Sequence, residues 1–236
     1  MKDQIKLFIC TPAFDGKVHI PYAMALSDTV LFLATKGIPC MIRINSSGSL
    51  LPAERNRLTE MFLETDCTHM LCIDSDLGWP PQAVLEMLQK DVDFICGCYP
   101  ARKDKIFIFR PCHNPDGSLV VDVEKKLIKM LYVPAGFMLL KRKVIEKMRE
   151  DNPDLYFEPK HEKAAGSKGY ALFHLELREG EFWGEDYFFC RIARKSGFDI
   201  WCDPVIEFDH AGIRGMLAEA LTNDKEKASS VYAADD

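Results

Sequence analysis

Three groups of residues in this chain have the types and spacing to do chemistry together. Asp74 and Asp76 stand two apart at the end of the apolar run Met70-Leu71-Cys72-Ile73. Alternate residues leaving a strand can turn both carboxylates toward one point. Such a pair, with no basic neighbour in sequence, repels unless a cation lies between the two or water reaches them. Hard oxygen ligands suit Mg²⁺ or Mn²⁺, whose other positions are filled by water and substrate phosphates. Further on, Trp183-Gly184-Glu185-Asp186 leads into a helical pattern. Acids there complement the helix macrodipole. Beside a metal–phosphate site, one of them could also take the proton from an acceptor hydroxyl, with Asp186 the first choice and Glu185 the second. His210, within Asp209-His210-Ala211-Gly212, would add a nitrogen donor, which fits Mn²⁺ better than Mg²⁺. Gly212 would let the backbone pass close to phosphates.

These residues need a scaffold, and the first half of the chain supplies one. Ile5 to Cys10, Ile38 to Ile44, His69 to Ile73 and Phe94 to Cys98 read as buried strands. Amphipathic stretches at Pro21 to Lys36, Ala53 to Thr65 and Pro80 to Lys90 read as the intervening helices. That alternation predicts an α/β fold, a mainly parallel sheet with helices on both faces. From Lys105 the pattern changes to Ile106–Phe109, Leu119–Val123 and Ile128–Val133, strands with short turns between them, which predict a smaller mixed or antiparallel part. Val144 to Glu150 and Glu185 to Ser196 read as helices, and Ile200 to Phe208 as a last strand region. The polar segment 154–169, with Lys160, Lys163 and Lys168, reads as a mobile loop. One domain over 1–215 follows, with halves 1–103 and 104–215, then a helix and flexible tail over 216–236.

Composition narrows the function. The chain has 236 residues, 47% hydrophobic and 28% charged, with 36 acidic against 30 basic residues and a net charge of −6. A polyanion-binding surface normally shows a basic excess, so nucleic acid is disfavoured as a main partner. No apolar stretch approaches the roughly 20 residues that span a bilayer, so no transmembrane segment is expected. The start lacks the order of a signal peptide. Nine cysteines, an odd number without zinc-like spacing, are expected to be reduced, mostly buried thiols in a cytoplasmic protein.

Taken in order, four blocks resemble the GT-A (Rossmann-like) glycosyltransferases, especially the compact family 2-like enzymes of large viruses and phages. Ile9-Cys10-Thr11-Pro12-Ala13-Phe14 is similar to the strand and loop that hold the nucleotide base. Glu54-Arg55-Asn56-Arg57 is similar to the helix start whose Arg-Asn pair faces the nucleotide. Cys72-Ile73-Asp74-Ser75-Asp76 resembles the DxD motif. Gly184-Glu185-Asp186, followed by Asp209-His210-Ala211-Gly212, resembles the acidic catalytic segment and metal-binding histidine. The resemblance implies a nucleotide-sugar donor, UDP-linked before GDP-linked, a glycan or other hydroxyl acceptor, and Mn²⁺ with Mg²⁺ as the alternative. It implies that Thr11, Pro12, Ala13, Arg55 and Asn56 line the nucleotide, that Asp74 and Ser75 lie at the ribose or donor sugar, and that Asp76 and His210 ligate the metal. Tyr99-Pro100-Ala101-Arg102-Lys103 resembles the segment flanking the donor phosphates, which brings in Arg102. Ala135-Gly136-Phe137-Met138 resembles the small-residue strand under the acceptor, which puts Gly136 and Trp183 on the acceptor side.

Other classes remain open to the sequence. A nucleotidyltransferase would usually carry a Gly-rich basic loop after the first strand, which Asp15-Gly16-Lys17 matches poorly. A phosphatase-like phosphoryl-transfer enzyme would carry its acidic pair after the first strand, not the third. A non-catalytic sugar-nucleotide-binding module would have no need of all four of Asp74, Asp76, Asp186 and His210. A modified base in DNA is a further acceptor, favoured only by the basic 160–168 loop.

Overall fold

Side chains along the central strands alternate between the two faces of the sheet, and each face collects one buried set. In the first strand Phe8 and Cys10 face one core, and Leu7 and Ile9 face the other. The third strand repeats this with Met70 and Cys72 against Leu71 and Ile73. Both faces are therefore covered by apolar helices, as a parallel-rich sheet requires.

The computed structural model describes residues 4–46, 50–102, 106–158, 168–178 and 180–223. Its first half runs β1 (Leu7–Pro12), α1 (Ile20–Thr35), β2 (Cys40–Asn45), α2 (Leu51–Leu63), β3 (His69–Ile73), β4 (Leu77–Gly78), α3 (Gln82–Gln89) and β5 (Phe94–Cys96). Then come β6 (Arg110–Pro111), β7 (Val121–Asp122), β8 (Leu127–Tyr132), β9 (Phe137–Lys141) and α4 (Arg142–Asp151). The chain ends with β10 (Tyr156–Phe157), β11 (Gly169–Tyr170), β12 (Glu176–Arg178), β13 (Glu181–Trp183), α5 (Glu185–Lys195), β14 (Ile200–Cys202), β15 (Glu207–His210), β16 (Ile213–Met216) and α6 (Leu217–Asn223). Prolines in the first turns of α1 and α2 suit positions whose N–H groups have no helical partner.

The main sheet has the order β2-β1-β3-β9-β5-β14-β8-β6, with β7 on β8. β2, β1 and β3 are parallel, as are β5 and β14. The fold class is the expected α/β one, with one rearrangement. β9, from the second half, lies between β3 and β5 and is antiparallel to both. The halves 1–103 and 104–215 therefore share one sheet.

Several expected elements differ. Ile106–Phe109 is not a strand: only Phe107 forms a bridge, to Pro100. Phe107 and Phe109 are buried while Ile106 and Ile108 are exposed, so the segment has a strand's alternation without a strand's partner. The last strand region divides into β14 and β15 at Asp203-Pro204. Within 154–169, Tyr156 and Phe157 pair with Tyr170 and Gly169. Residues 159–167, with Lys160 and Lys163, lie outside the described residues, as do Ser47–Ser49, Lys103 and the tail from 224. Among the described residues no helix is long and apolar enough to cross a membrane.

Candidate functional site

The carboxyl end of β3, where open α/β sheets bind ligands, carries Asp74. Asp74 and Asp76 have different partners. Arg55, from the buried face of α2, donates from Nη2 to Asp74 Oδ1 at 2.8 Å, and Tyr99 donates its hydroxyl to Asp74 Oδ2 at 3.3 Å. Asp76 instead faces His210 Nε2 at 3.2 Å and Arg102 Nη2 at 2.7 Å. Each carboxylate has found its own cation, which removes the repulsion expected of the pair. Among the described residues, Asp74, Asp76 and His210 do not form a three-ligand cluster.

His210 is brought to Asp76 by strand pairing. Asp209 and His210 lie opposite Gly78 and Leu77, and Ala211 N donates to Asp76 O at 3.2 Å. Ala211 and Gly212 both have positive φ, 52° and 94°, and join β15 to β16. This is the two-residue hairpin geometry in which glycine is favoured. Gly212 thus serves a turn. His210 Nδ1 lies 2.6 Å from the Pro100 carbonyl, which fixes a proton on that nitrogen and turns Nε2 toward Asp76. Burial works against a charged ring, but Asp76 and the Pro100 carbonyl hold its pKa above the ordinary value.

Arg102 completes this cluster. Its Nε lies 3.3 Å from His210 Nε2 while Nη2 holds Asp76. A guanidinium thus rests against one carboxylate oxygen and one imidazole nitrogen, so the pair presents a seat for positive charge. Asp76 and His210 fit a divalent ion that completes its coordination with water and phosphate oxygens.

Arg55 is 4% exposed and reaches in three directions. Besides Asp74, it donates from Nε to Glu185 Oε1 at 3.3 Å and from Nη1 to the Ala135 carbonyl at 3.5 Å. Burial disfavours its charge, yet Asp74 and Glu185 more than offset this and keep it protonated. Burial, and then Asp74, push the Tyr99 hydroxyl well up, so it stays a donor.

Gly136 lies below this cluster. Its N–H donates to the Tyr99 hydroxyl at 3.1 Å, and its carbonyl accepts from Asp74 N at 2.9 Å. A Cβ there would stand 2.2 Å from that hydroxyl and 2.4 Å from Asp74 Oδ2. Gly136, expected on the acceptor side, lies against Tyr99 and supports Asp74. Gly136→Ala is expected to lower stability by about 1–3 kcal/mol, as overpacking does. Urea unfolding would show it, and a loss near zero would mean the cluster can shift aside.

Pro12, Ala13, Phe14, Leu51, Glu54, Asp74, Ser75, Asp76 and Arg102 line a cleft of about 280 Å³. Two residues expected there are elsewhere. Thr11 is fully buried, its hydroxyl 2.6 Å from that of Tyr22. Asn56 makes a two-way amide pair with the Phe173 backbone, 2.8 Å each way, and so fastens α2 to the 172–174 segment. Glu54 is the site residue that sequence reasoning missed. It is 7% exposed, lines the cleft and accepts from the Asn45 amide. Its place in the Glu54-Arg55-Asn56 block was the available signal.

Comparison with known proteins bears on the fold. No family model matches the chain, and no curated protein does. Solved structures do. A197 from STIV is 16% identical, with a TM-score of 0.49, covering 88% of this chain and 85% of that one. The inositol-1-phosphate CTP transferase of T. maritima is 11% identical, with a TM-score of 0.43, covering 84% of each chain. S. aureus TarS 1-349 in complex with UDP-GlcNAc is 12% identical, with a TM-score of 0.41, covering 84% of this chain and 56% of that one. Glycosyltransferases and nucleotidyltransferases both occur among the matches. The likeness is one of architecture.

A second cavity, of about 210 Å³, is lined by Ile108, Arg110, Tyr132, Phe182, Trp183, Gly184, Asp186 and Tyr187. Trp183 packs edge-on to Tyr132 and Tyr187, at 5.3 and 5.9 Å between ring centres. Asp186 is the carboxylate of this largely aromatic cavity. Burial, and then the neighbouring Glu185, raise its pKa to about 6. Glu185 turns away, to Arg55. The order of preference between the two acids thus has a structural counterpart, because they point into different surroundings.

Proposed function

We propose that this chain is a metal-assisted glycosyltransferase that moves a sugar from a nucleoside diphosphate donor, UDP-linked before GDP-linked, to a hydroxyl of a glycan or similar acceptor. The observation that carries this reading is the Arg55 bridge. One buried guanidinium ties Asp74, in a cleft with a seat for positive charge, to Glu185, whose neighbour Asp186 lines an aromatic cavity. Two substrates held on either side of such a bridge would meet beside Asp74 and Asp186.

Each part has a task in that reaction. Phe14, Leu51, Pro12, Ala13 and Glu54 offer an apolar wall and one carboxylate for a nucleoside. Asp76 and His210 would hold Mn²⁺ or Mg²⁺, which when bound neutralises negative charge developing on the leaving diphosphate. Arg102 adds a further positive charge at the same end. Tyr132, Phe182 and Trp183 offer ring faces against which an acceptor can pack. Asp186 is placed to take the acceptor's proton, and a pKa near 6 leaves it ionised at neutral pH yet a stronger base than an ordinary aspartate.

Calorimetric titration of UDP and GDP, with and without Mn²⁺, into wild type and Asp76→Ala tests the reading. Metal-dependent binding of one nucleotide, lost in the variant, is the expected result. Binding of neither nucleotide under any metal condition would remove the donor site and the proposal with it.

A further inference from the structure

Of the nine cysteines, three converge outside the two cavities. Cys96 ends β5, Cys98 follows two residues later, and Cys202 ends the adjacent parallel strand β14, directly opposite Cys96. Their sulfurs all lie within 4.8 Å of one another, and Cys98 and Cys202 Sγ are 3.5 Å apart. Each residue is at most 1% exposed, and all are free thiols. Isolated buried thiols pack as small apolar groups. Three that share one centre also form a ligand set. Three sulfurs around a central atom with bonds of about 2.3 Å, the zinc–thiolate length, would stand roughly 4 Å apart, within the span observed.

Charge decides which centre suits this place. Each sulfur that binds gives up a proton. A monovalent centre on three thiolates would leave two negative charges, a divalent centre one, and a trivalent centre none. Uncompensated charge in an apolar interior is costly. The adjacent Asp203 is itself an acid, 2% exposed, and gives no compensation. Zinc would also want a fourth ligand, and among the described residues no other His, Cys, Asp or Glu joins the three.

We propose that Cys96, Cys98 and Cys202 form a binding site for a trivalent thiophilic metalloid of the arsenite class. Three S–H and three As–OH bonds break, three S–As bonds form and three waters leave. No electrons are transferred, and the product is neutral. The burial of all three thiols means that the strand ends must part to admit the metalloid, so loading is slow. Once loaded, the centre ties the end of β14 to the segment that begins at Cys98. That segment carries Tyr99, the donor to Asp74, and Pro100, the acceptor for His210.

The test uses the reduced full-length protein incubated with arsenite, followed by native mass spectrometry, arsenic-edge X-ray absorption and thermal melting. One arsenic per chain with three sulfur neighbours, and a raised melting temperature, are expected. Cys202→Ala should lose both, and Cys98→Ala serves the same purpose where the first variant fails to fold. Cys10→Ala should keep both, since Cys10 pairs only with Cys72. The proposal is overturned if no arsenic binds, if three sulfur neighbours persist in Cys98→Ala or Cys202→Ala, or if equimolar zinc displaces arsenite from wild type.

Discussion

Replacing Arg55 with methionine is expected to lower the unfolding free energy by about 3–5 kcal/mol, the cost of breaking a buried ion pair by removing one partner. Methionine is shorter but of similar volume, and it replaces the aliphatic stem, so the loss measures charge and hydrogen bonding more than packing. The guanidinium holds Asp74 at 2.8 Å and Glu185 at 3.3 Å while itself only 4% exposed. Without it, two partly buried carboxylates lose the cation they share, and Tyr99 remains on Asp74. Arg55→Lys keeps the charge but presents one compact ammonium where a planar fork spans two acids. It should therefore fall between wild type and the methionine variant. Urea unfolding of the three proteins makes the comparison. A loss below 1 kcal/mol in Arg55→Met would mean that water compensates the acids and that the bridge is not structural. Nucleotide binding should weaken alongside, because Asp74 takes its position from Arg55.

The strands that position this site were legible in the sequence because they are short continuous apolar runs, as in Leu7-Phe8-Ile9-Cys10 and His69 to Ile73, buried along nearly their whole length. The same rule misled at Ile106–Phe109, where Phe107 and Phe109 alternate with exposed isoleucines but find no ladder. An apolar run reports which segment can be buried; it does not report a hydrogen-bonding partner. The insertion of β9 between β3 and β5 is a long-range pairing, and nothing local in Phe137-Met138-Leu139-Leu140-Lys141 encodes it. The site follows the same division. Asp76 and His210, the proposed metal ligands, do stand together, 134 residues apart in sequence. The partnership of Asp74 with Arg55 and Tyr99, and of Asn56 with Phe173, depends on how α2 lies on the sheet, which residue types alone do not specify. Polar residues on a buried helix face, such as Glu54, Arg55, Asn56 and Thr59, signal a site without saying which one faces the ligand.

Asp186→Asn should separate chemistry from stability and move them in opposite directions. If Asp186 takes the acceptor's proton, the amide substitution lowers kcat by about 10²–10⁴-fold with little change in KM. In wild type, kcat should rise about tenfold per pH unit up to its pKa of about 6 and level off above it. The stability effect follows from the same shift. Asp186 is more readily protonated in the folded chain than in the unfolded one, whose aspartates titrate near 3.9. Its contribution is therefore neutral below about pH 4, and it costs stability progressively as pH rises through 6. A shift of this size corresponds to about 3 kcal/mol at most. Because part of the residue stays in contact with solvent, about 1–2 kcal/mol is the expected penalty. Asparagine cannot ionise, and its side-chain oxygen can still accept the 2.9 Å bond that Tyr187 N donates to Asp186 Oδ1. The variant should therefore match wild type at pH 4 and exceed it at pH 7.5. Parallel urea unfolding at the two pH values, with turnover measured at the higher one, tests both halves. A variant that keeps its kcat within a few-fold would take the base role away from Asp186. A variant no more stable than wild type at pH 7.5 would mean that the carboxylate is solvated and not strained. Loss of turnover with gain of stability is the signature of a group held in an unfavourable place for the sake of its reactivity.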